Sequence, residues 1–236
     1  MHSKESDLKI KKIHIDDIIK LNEVERKFAP EWLYAAGNID IAKIVPRVSI
    51  IGTRHPTEIG VKNTESIVNS LVKRNIIVVS GLALGVDTVA HRTAIDKGGK
   101  TIAVLGNPLD QYYPKENYKL QKEIIQKHLA ISQFQIGTPI QPKNFPIRNR
   151  TMALISNASV IVEAGENSGS HHQGWEALRL GRPLFILDTI LDSETLSWPN
   201  KMIKYGAQVL SIKGIKLLEE VIPPHGVEDN HVTLYA

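Results

Sequence analysis

The sequence contains no cysteine, which removes disulfides and thiolate chemistry from consideration. No apolar run approaches the roughly 20 residues needed to span a bilayer. The polar start Met1-His2-Ser3-Lys4-Glu5-Ser6-Asp7 is followed by no signal-like apolar stretch. Internal repeats and low-complexity linkers are also lacking. A cytoplasmic protein that does not engage membranes is the simplest expectation. Neither sign of charge dominates strongly: the formal net charge is +4 and the sequence pI about 9.1. That balance permits a polyanionic partner without demanding one.

What is present fits a globular protein of 236 residues with 42% hydrophobic and 23% charged content, long enough to bury a full core. Residues 1–45 mix charges with apolar residues at Ile15, Ile18, Ile19 and Leu21, and predict a short N-terminal helical arm. From Arg47 the pattern becomes regular. Strands are expected over 48–51, 76–79, 101–105, 129–132, 159–162, 183–187 and 207–210. Helices are expected over 60–74, 89–97, 115–127, 149–156 and 174–180. Runs such as Ile76-Ile77-Val78-Val79 lack polar alternation, as in strands covered on both faces. The expectation is an α/β protein with an extended Rossmann-like, doubly wound, mostly parallel sheet. The core is assigned to residues 46–222, with a loose tail over 223–236.

In such sheets ligands bind beyond the carboxyl ends of the strands. The informative residues fall there. Gly52-Thr53-Arg54 follows the first core strand. Ser80-Gly81-Leu82-Ala83-Leu84-Gly85 follows the second and leads into a helix at Asp87 or Thr88, an arrangement that aims backbone N–H groups at an anion. Gly106-Asn107 follows the third, and Glu163 to Ser170 a later one. Arg148 and Arg150 flank Asn149 close to Phe145, which combines cations with a stacking face, as single-strand binding requires. The alternatives are that an arginine of this pair anchors a helix start or pairs with Asp87 or Glu163, and that Phe145 is a core aromatic. Asp87 is read as an N-cap rather than a catalytic acid, and His91 as packed. Adjacent His171 and His172 seldom share a metal, and no metal site is expected.

Together these motifs are similar to those of the DNA-processing protein A (DprA/Smf) family. The matching pieces are Ile50-Ile51-Gly52-Thr53-Arg54, the segment Val79 to Asp87 with Ala90-His91, and Thr101 to Gly106 with Leu109-Asp110 and Tyr113-Pro114. They continue with Phe145-Pro146-Ile147-Arg148-Asn149-Arg150, Val162-Glu163-Ala164, Ser168-Gly169-Ser170 and Gly181-Arg182. The resemblance implies a single-stranded DNA-binding protein that assists DNA processing, recombination or natural transformation. It further implies a RecA-type recombinase as partner, a homodimer, no cofactor and no enzymatic activity. It assigns phosphate and nucleic-acid contacts to Gly52, Thr53, Arg54, Ser80, Gly81, Ala83, Gly85, Phe145, Arg148, Asn149, Arg150, Ser168, Gly169 and Ser170, with Asp87 as a structural cap.

Three features depart from the family pattern: Ser170-His171-His172-Gln173 in place of small residues, Ser132-Gln133 in place of Ser-Glu, and about 25 residues after Ser211, too few for the winged helix of many members. A second reading is a nucleotide-binding enzyme or sensor of the phosphoribohydrolase-like Rossmann group, including a role in defence signalling. In that reading Glu163 and Glu176 are the carboxylates of interest.

Overall fold

The computed structural model describes residues 8–193, 195–215 and 218; the tail assigned to 223–236 lies outside them. The chain runs β1 (Ile10–His14), α1 (Glu23–Arg26), β2 (Trp32–Gly37), β3 (Arg47–Gly52), α2 (Glu58–Lys73), β4 (Ile77–Ser80), α3 (Val86–Asp96), β5 (Thr101–Leu105), α4 (Tyr118–Lys127) and β6 (Leu129–Ser132). It continues through α5 (Asn144–Ile155), β7 (Ala158–Glu163), α6 (Ser170–Arg179), β8 (Leu184–Leu187), α7 (Trp198–Lys204) and β9 (Gln208–Leu210). Among the described residues the nine strands form one sheet in the order β1-β2-β6-β5-β4-β3-β7-β8-β9. From β6 to β9 the pairings are parallel, while β2 lies antiparallel to both β1 and β6.

This order is that of a doubly wound sheet. The chain steps outward from β3 to β6, then crosses back to β7 on the other side of β3 and steps outward again. Right-handed crossovers place the two sets of helices on opposite faces. Accordingly α2 packs on α3, whereas α5, α6 and α7 pack in series. The strands β4, β5, β6 and β8 are buried at every residue, which explains their unbroken apolar sequence. Helix α2 buries Gly60, Thr64, Ile67, Val68 and Leu71 along one stripe and is capped by Thr57, whose side chain accepts from the Gly60 N–H at 3.0 Å.

The N-terminal segment differs from the helical arm expected. It holds short helical turns, but its main contribution is β1 and β2, which extend the sheet past β6. Ile15, Ile18 and Ile19 have helical spacing, yet they serve as a buried plug around a turn rather than as one face of a helix. In β1 the exposed Lys11 and Lys12 hide the strand alternation. Two buried arginines fix the segment. The Arg47 guanidinium donates to the carbonyls of Ile18 and Ala42. Arg182 Nε donates to Glu25 Oε1 at 2.6 Å, in a pair whose side chains are 5% and 0% exposed. Glu25 also accepts from the Asn22 N–H, closing a capping box at α1.

Helix α7 was missed because Trp198-Pro199 reads as a break, although proline is compatible with a first helical turn. Removing one member of a buried ion pair is costly, so Arg182→Ala should lower stability by about 3 kcal/mol or more. Denaturant unfolding measures this, and a variant within 0.5 kcal/mol (roughly the scatter of surface substitutions) would refute the anchoring role.

Candidate nucleic-acid interface

The crossing between β3 and β7 is the topological switch point, and the carboxyl ends of β3, β4, β5 and β7 surround it. Two clefts open there. The first, of about 560 Å³, lies over the switch point and is lined by the 51–54 turn, Asn149, Asn167 and the 168–170 turn, among others. The second, of about 470 Å³, lies over β4 and β5 and is walled by Gly81 to Leu84, Tyr112, Tyr113, Lys115 and Ile140, among others. Arg54, Ala83, Phe145 and Arg148 line both, so the clefts meet along those residues.

The turn after β4 is shaped from several sides. Gly85, at φ 75°, brings the start of α3 against the 53–54 turn, where an added Cβ would lie 2.4 Å from the Thr53 carbonyl oxygen. Val86 N–H donates to that same oxygen at 3.1 Å. Leu82 adopts φ 60°, a left-handed conformation that costs a non-glycine residue roughly 1–2 kcal/mol. Its side chain is fully buried, and its carbonyl accepts from Asn117 Nδ2 at 2.9 Å. Asn117 Nδ2 also lies 3.2 Å from the Ala83 carbonyl and 2.8 Å from Thr88 Oγ1.

Asp87 is not the N-cap expected from the sequence. The cap position is Gly85, which offers no side chain, and Asp87 stands within the first turn. Its Oδ2 instead reaches back to accept from the Ala83 N–H at 3.2 Å. Burial pushes its carboxyl pKa up, against the pull of the Arg148 guanidinium and the Ala83 N–H. The Asp87 carboxylate thus holds the turn from behind, without capping the helix.

Arg148 is 7% exposed. Its Nη1 donates to the carbonyl of Gly81 and, at 3.0 Å, to that of Val104. Burial lowers its pKa, with Asp87 opposing, but a guanidinium stays cationic in either case. Gly81 is required beside it: a Cβ there would sit 1.6 Å from Arg148 Nη1. Phe145 lies against Gly106 in the same way, with 2.7 Å between its ring and an added Cβ. Helix α5 begins at Asn144, before the predicted start at 149, and so presents Phe145, Arg148 and Asn149 from its first turns.

The structure brings Gly52, Thr53, Arg54, Gly81, Ala83, Phe145, Arg148, Asn149, Ser168, Gly169 and Ser170 to the clefts. It does not bring Ser80, Gly85 or Arg150 there. Ser80 is buried and its Oγ donates to the Ile50 carbonyl at 2.7 Å. Gly85 acts through the backbone turn. Arg150 points to the far side of α5, where its Nε meets Glu176 Oε2 at 2.8 Å and its guanidinium lies 5.6 Å from the Phe28 ring centroid. The clefts also take in Asn107, Tyr112, Tyr113, Lys115 and Asn167, to which the sequence assigned no ligand contact. Asn107, Asn167 and Tyr113 stand in strand-end or motif segments noted in the sequence, whereas Tyr112 and Lys115 lay in none of them.

The unusual His171 also has a structural place. Its ring stacks on Trp198 at 4.7 Å, and its Nε2 lies 2.6 Å from the Gly165 carbonyl. Glu166 accepts from the Ser197 N–H at 2.9 Å and from its hydroxyl. These hydrogen bonds lower the Glu166 pKa. The turn that carries Ser168 and Ser170 is thereby tied to α7. Both candidate catalytic carboxylates are engaged: Glu163 accepts from Thr57 N–H and Oγ1 at the start of α2, and Glu176 pairs with Arg150 and Arg179. Among the described residues no three potential metal ligands come together, and no helix is long and apolar enough to cross a membrane.

The family model for DNA recombination-mediator protein A matches residues 19–221. The chain is 36% identical over 204 residues to the DNA processing protein DprA of Streptococcus pneumoniae, covering 84% of this chain and 72% of that protein. The structure of DprA from that species superposes with a TM-score of 0.76 at 32% identity, covering 89% of this chain and 74% of that one. Protein Smf of a Synechocystis species is 36% identical over 77% of this chain, which spans about half, 46%, of its length. The DNA processing protein A of Helicobacter pylori, whose structure concerns a single-stranded DNA binding mode, superposes with a TM-score of 0.77 at 28% identity, covering 92% of this chain and 99% of that one.

Two measurements check the geometry. Gly81→Ala drives a methyl into the Arg148 guanidinium and should cost about 1–3 kcal/mol. Adding Arg148→Met should return much of that loss, a coupling that a double-mutant cycle reads directly; additive losses would refute the contact. His91 is fully buried. Thr101 Oγ1 donates to the Val78 carbonyl, so it accepts from His91 Nδ1 at 2.7 Å. Burial lowers the His91 pKa to about 3. As pH falls from about 6.5, the unfolded chain takes up a proton that the native histidine refuses, and stability falls with it. The advantage of the native protein over His91→Gln should therefore shrink between pH 6.5 and 4 in urea titrations, and a constant difference would contradict the assignment.

Proposed function

The chain belongs to the DNA recombination-mediator protein A family, and on that premise we propose that it binds single-stranded DNA in the two joined clefts at the carboxyl edge of its sheet. The observation that carries this reading is Arg54. Its exposed guanidinium lines both clefts, and no described acidic residue pairs with it. On one side of it lie the hydroxyls of Thr53, Ser168 and Ser170, suited to phosphate oxygens. On the other stand Phe145 and the tyrosine wall, suited to stacking bases. A backbone-neutralising cation between a polar turn and an aromatic face is the composition of a single-strand groove.

The similarity to the Helicobacter pylori protein, whose single-stranded DNA binding mode is described, supports the same reading. Within it Arg148 has an indirect role, since its guanidinium is spent on the carbonyls that shape the cleft. A nucleotide hydrolase reading loses support because Glu163 and Glu176 are both held by other groups, and we propose a binding protein rather than an enzyme. The family resemblance extends the proposal to a role in DNA processing in the cytoplasm, a RecA-type recombinase as partner, and a homodimer that light scattering at two concentrations would detect.

Fluorescence anisotropy against a long single strand, a duplex and a panel of mononucleotides tests the proposal. Single strands should bind tightest, with a log–log salt slope steeper than about −2 if three or more phosphates are neutralised. Arg54→Ala should weaken binding and make that slope shallower by about 0.7, whereas Arg150→Ala should leave it unchanged. Absence of binding to a long single strand at low salt would end the proposal.

A further inference from the structure

The second cleft does not stop at its tyrosine wall. Tyr112, which lines it, meets the Tyr118 ring edge-on at a centroid distance of 4.5 Å. The Lys122 ammonium lies 4.9 Å from the Tyr118 centroid and 2.8 Å from its hydroxyl. On the inner side, Tyr113 stands 5.6 Å from Phe145 and is 41% exposed. Rings and a cation thus continue from the cleft onto the first turns of α4. Lys115 stands on the cleft wall in the short turn that leads into α4, and Lys119 and Lys122, three residues apart within α4, share one helical face. Lys115 and Lys119 are exposed. Of the acids nearby, Glu123 is engaged by Arg92 and Lys127, and Glu116 stands on the cleft wall itself.

Resting on the single-strand reading above, we propose that this face of α4 is a second segment of the DNA track. The strand leaves the second cleft past Tyr112, its backbone passes along Lys119 and Lys122, and a base stacks at the Tyr112–Tyr118 corner. A face of alternating cations and rings suits a flexible strand, whose unstacked bases have free π surfaces. A duplex keeps its bases stacked and would meet the lysines alone.

The test uses the full chain and oligothymidylates of about 5 and about 20 nucleotides, near and beyond the limits of roughly 4–16 seen for single-strand grooves. In Lys119→Gln/Lys122→Gln, affinity for the long strand should fall roughly fivefold to tenfold at low salt, and its salt slope should become shallower by about 1.4, two contacts at about 0.7 each. Affinity for the short strand should match that of the unaltered protein. A long strand carrying 5-iodouracil should photocrosslink to the peptide holding Tyr112 or Tyr118. Unchanged long-strand affinity and slope in the variant overturn the extension alone. Failure of the unaltered protein to bind either strand overturns the single-strand reading itself.

Discussion

A guanidinium sits where the carboxyl ends of β4 and β5 meet α5, held by the carbonyls of Gly81 and Val104. Much of the cleft follows from that placement. Arg148 can enter only because residue 81 has no side chain, and its charge can be buried because carbonyl dipoles and the nearby Asp87 carboxylate surround it. Asp87 comes from α3 on one face of the sheet, and Arg148 from α5 on the other. Between them they grip the 81–83 turn, whose central residue Leu82 is held left-handed. The proposed single-strand site is thus built on a turn with little freedom of its own.

The switch point is reinforced from below as well. Ser49 of β3 and Ser159 of β7 share a 2.7 Å hydrogen bond inside the sheet, and Gln173 of α6 donates to Ser49 Oγ at 3.1 Å. These buried polar groups satisfy one another directly under the first cleft. Above them, Thr53 N–H donates to the Glu163 carbonyl at 2.7 Å, and the Glu163 carboxylate receives the start of α2. Polar residues that look reactive in a list of letters are here the frame, and the exposed Arg54 is the proposed contact to the ligand.

The core strands were legible because unbroken β-branched runs leave little choice of conformation; strand 101–105 falls where the sequence placed it. The N-terminal strands were not legible. An edge strand with lysines facing solvent carries no clear alternation, and Ile15, Ile18 and Ile19 imitate a helix while packing around Arg47. At the site, glycines and the arginine near strand ends pointed to the right edge of the sheet. The direction of each side chain did not follow from spacing. Arg148 and Arg150 are two residues apart on a helix and therefore leave it on different sides, one into the cleft framework and the other toward Glu176 and Phe28. The aromatic wall is assembled from separated segments, which no local pattern could reveal.

Glu25 and Arg182 are 157 residues apart in sequence, and β2 pairs with β6 across about a hundred residues. During synthesis the first strands therefore leave the ribosome long before the surfaces that receive them. The parallel core can add β3, β4, β5 and β6 in order, each against the strand before it. The β1–β2 pair, joined to itself and to Arg47 early, has no sheet edge to dock on until β6 is made, and its second arginine anchor arrives only with Arg182. Strands made before the core thus join its sheet only after it, so nascent chains halted before residue 129 would hold an assembling core whose β1–β2 pair has no sheet edge to join.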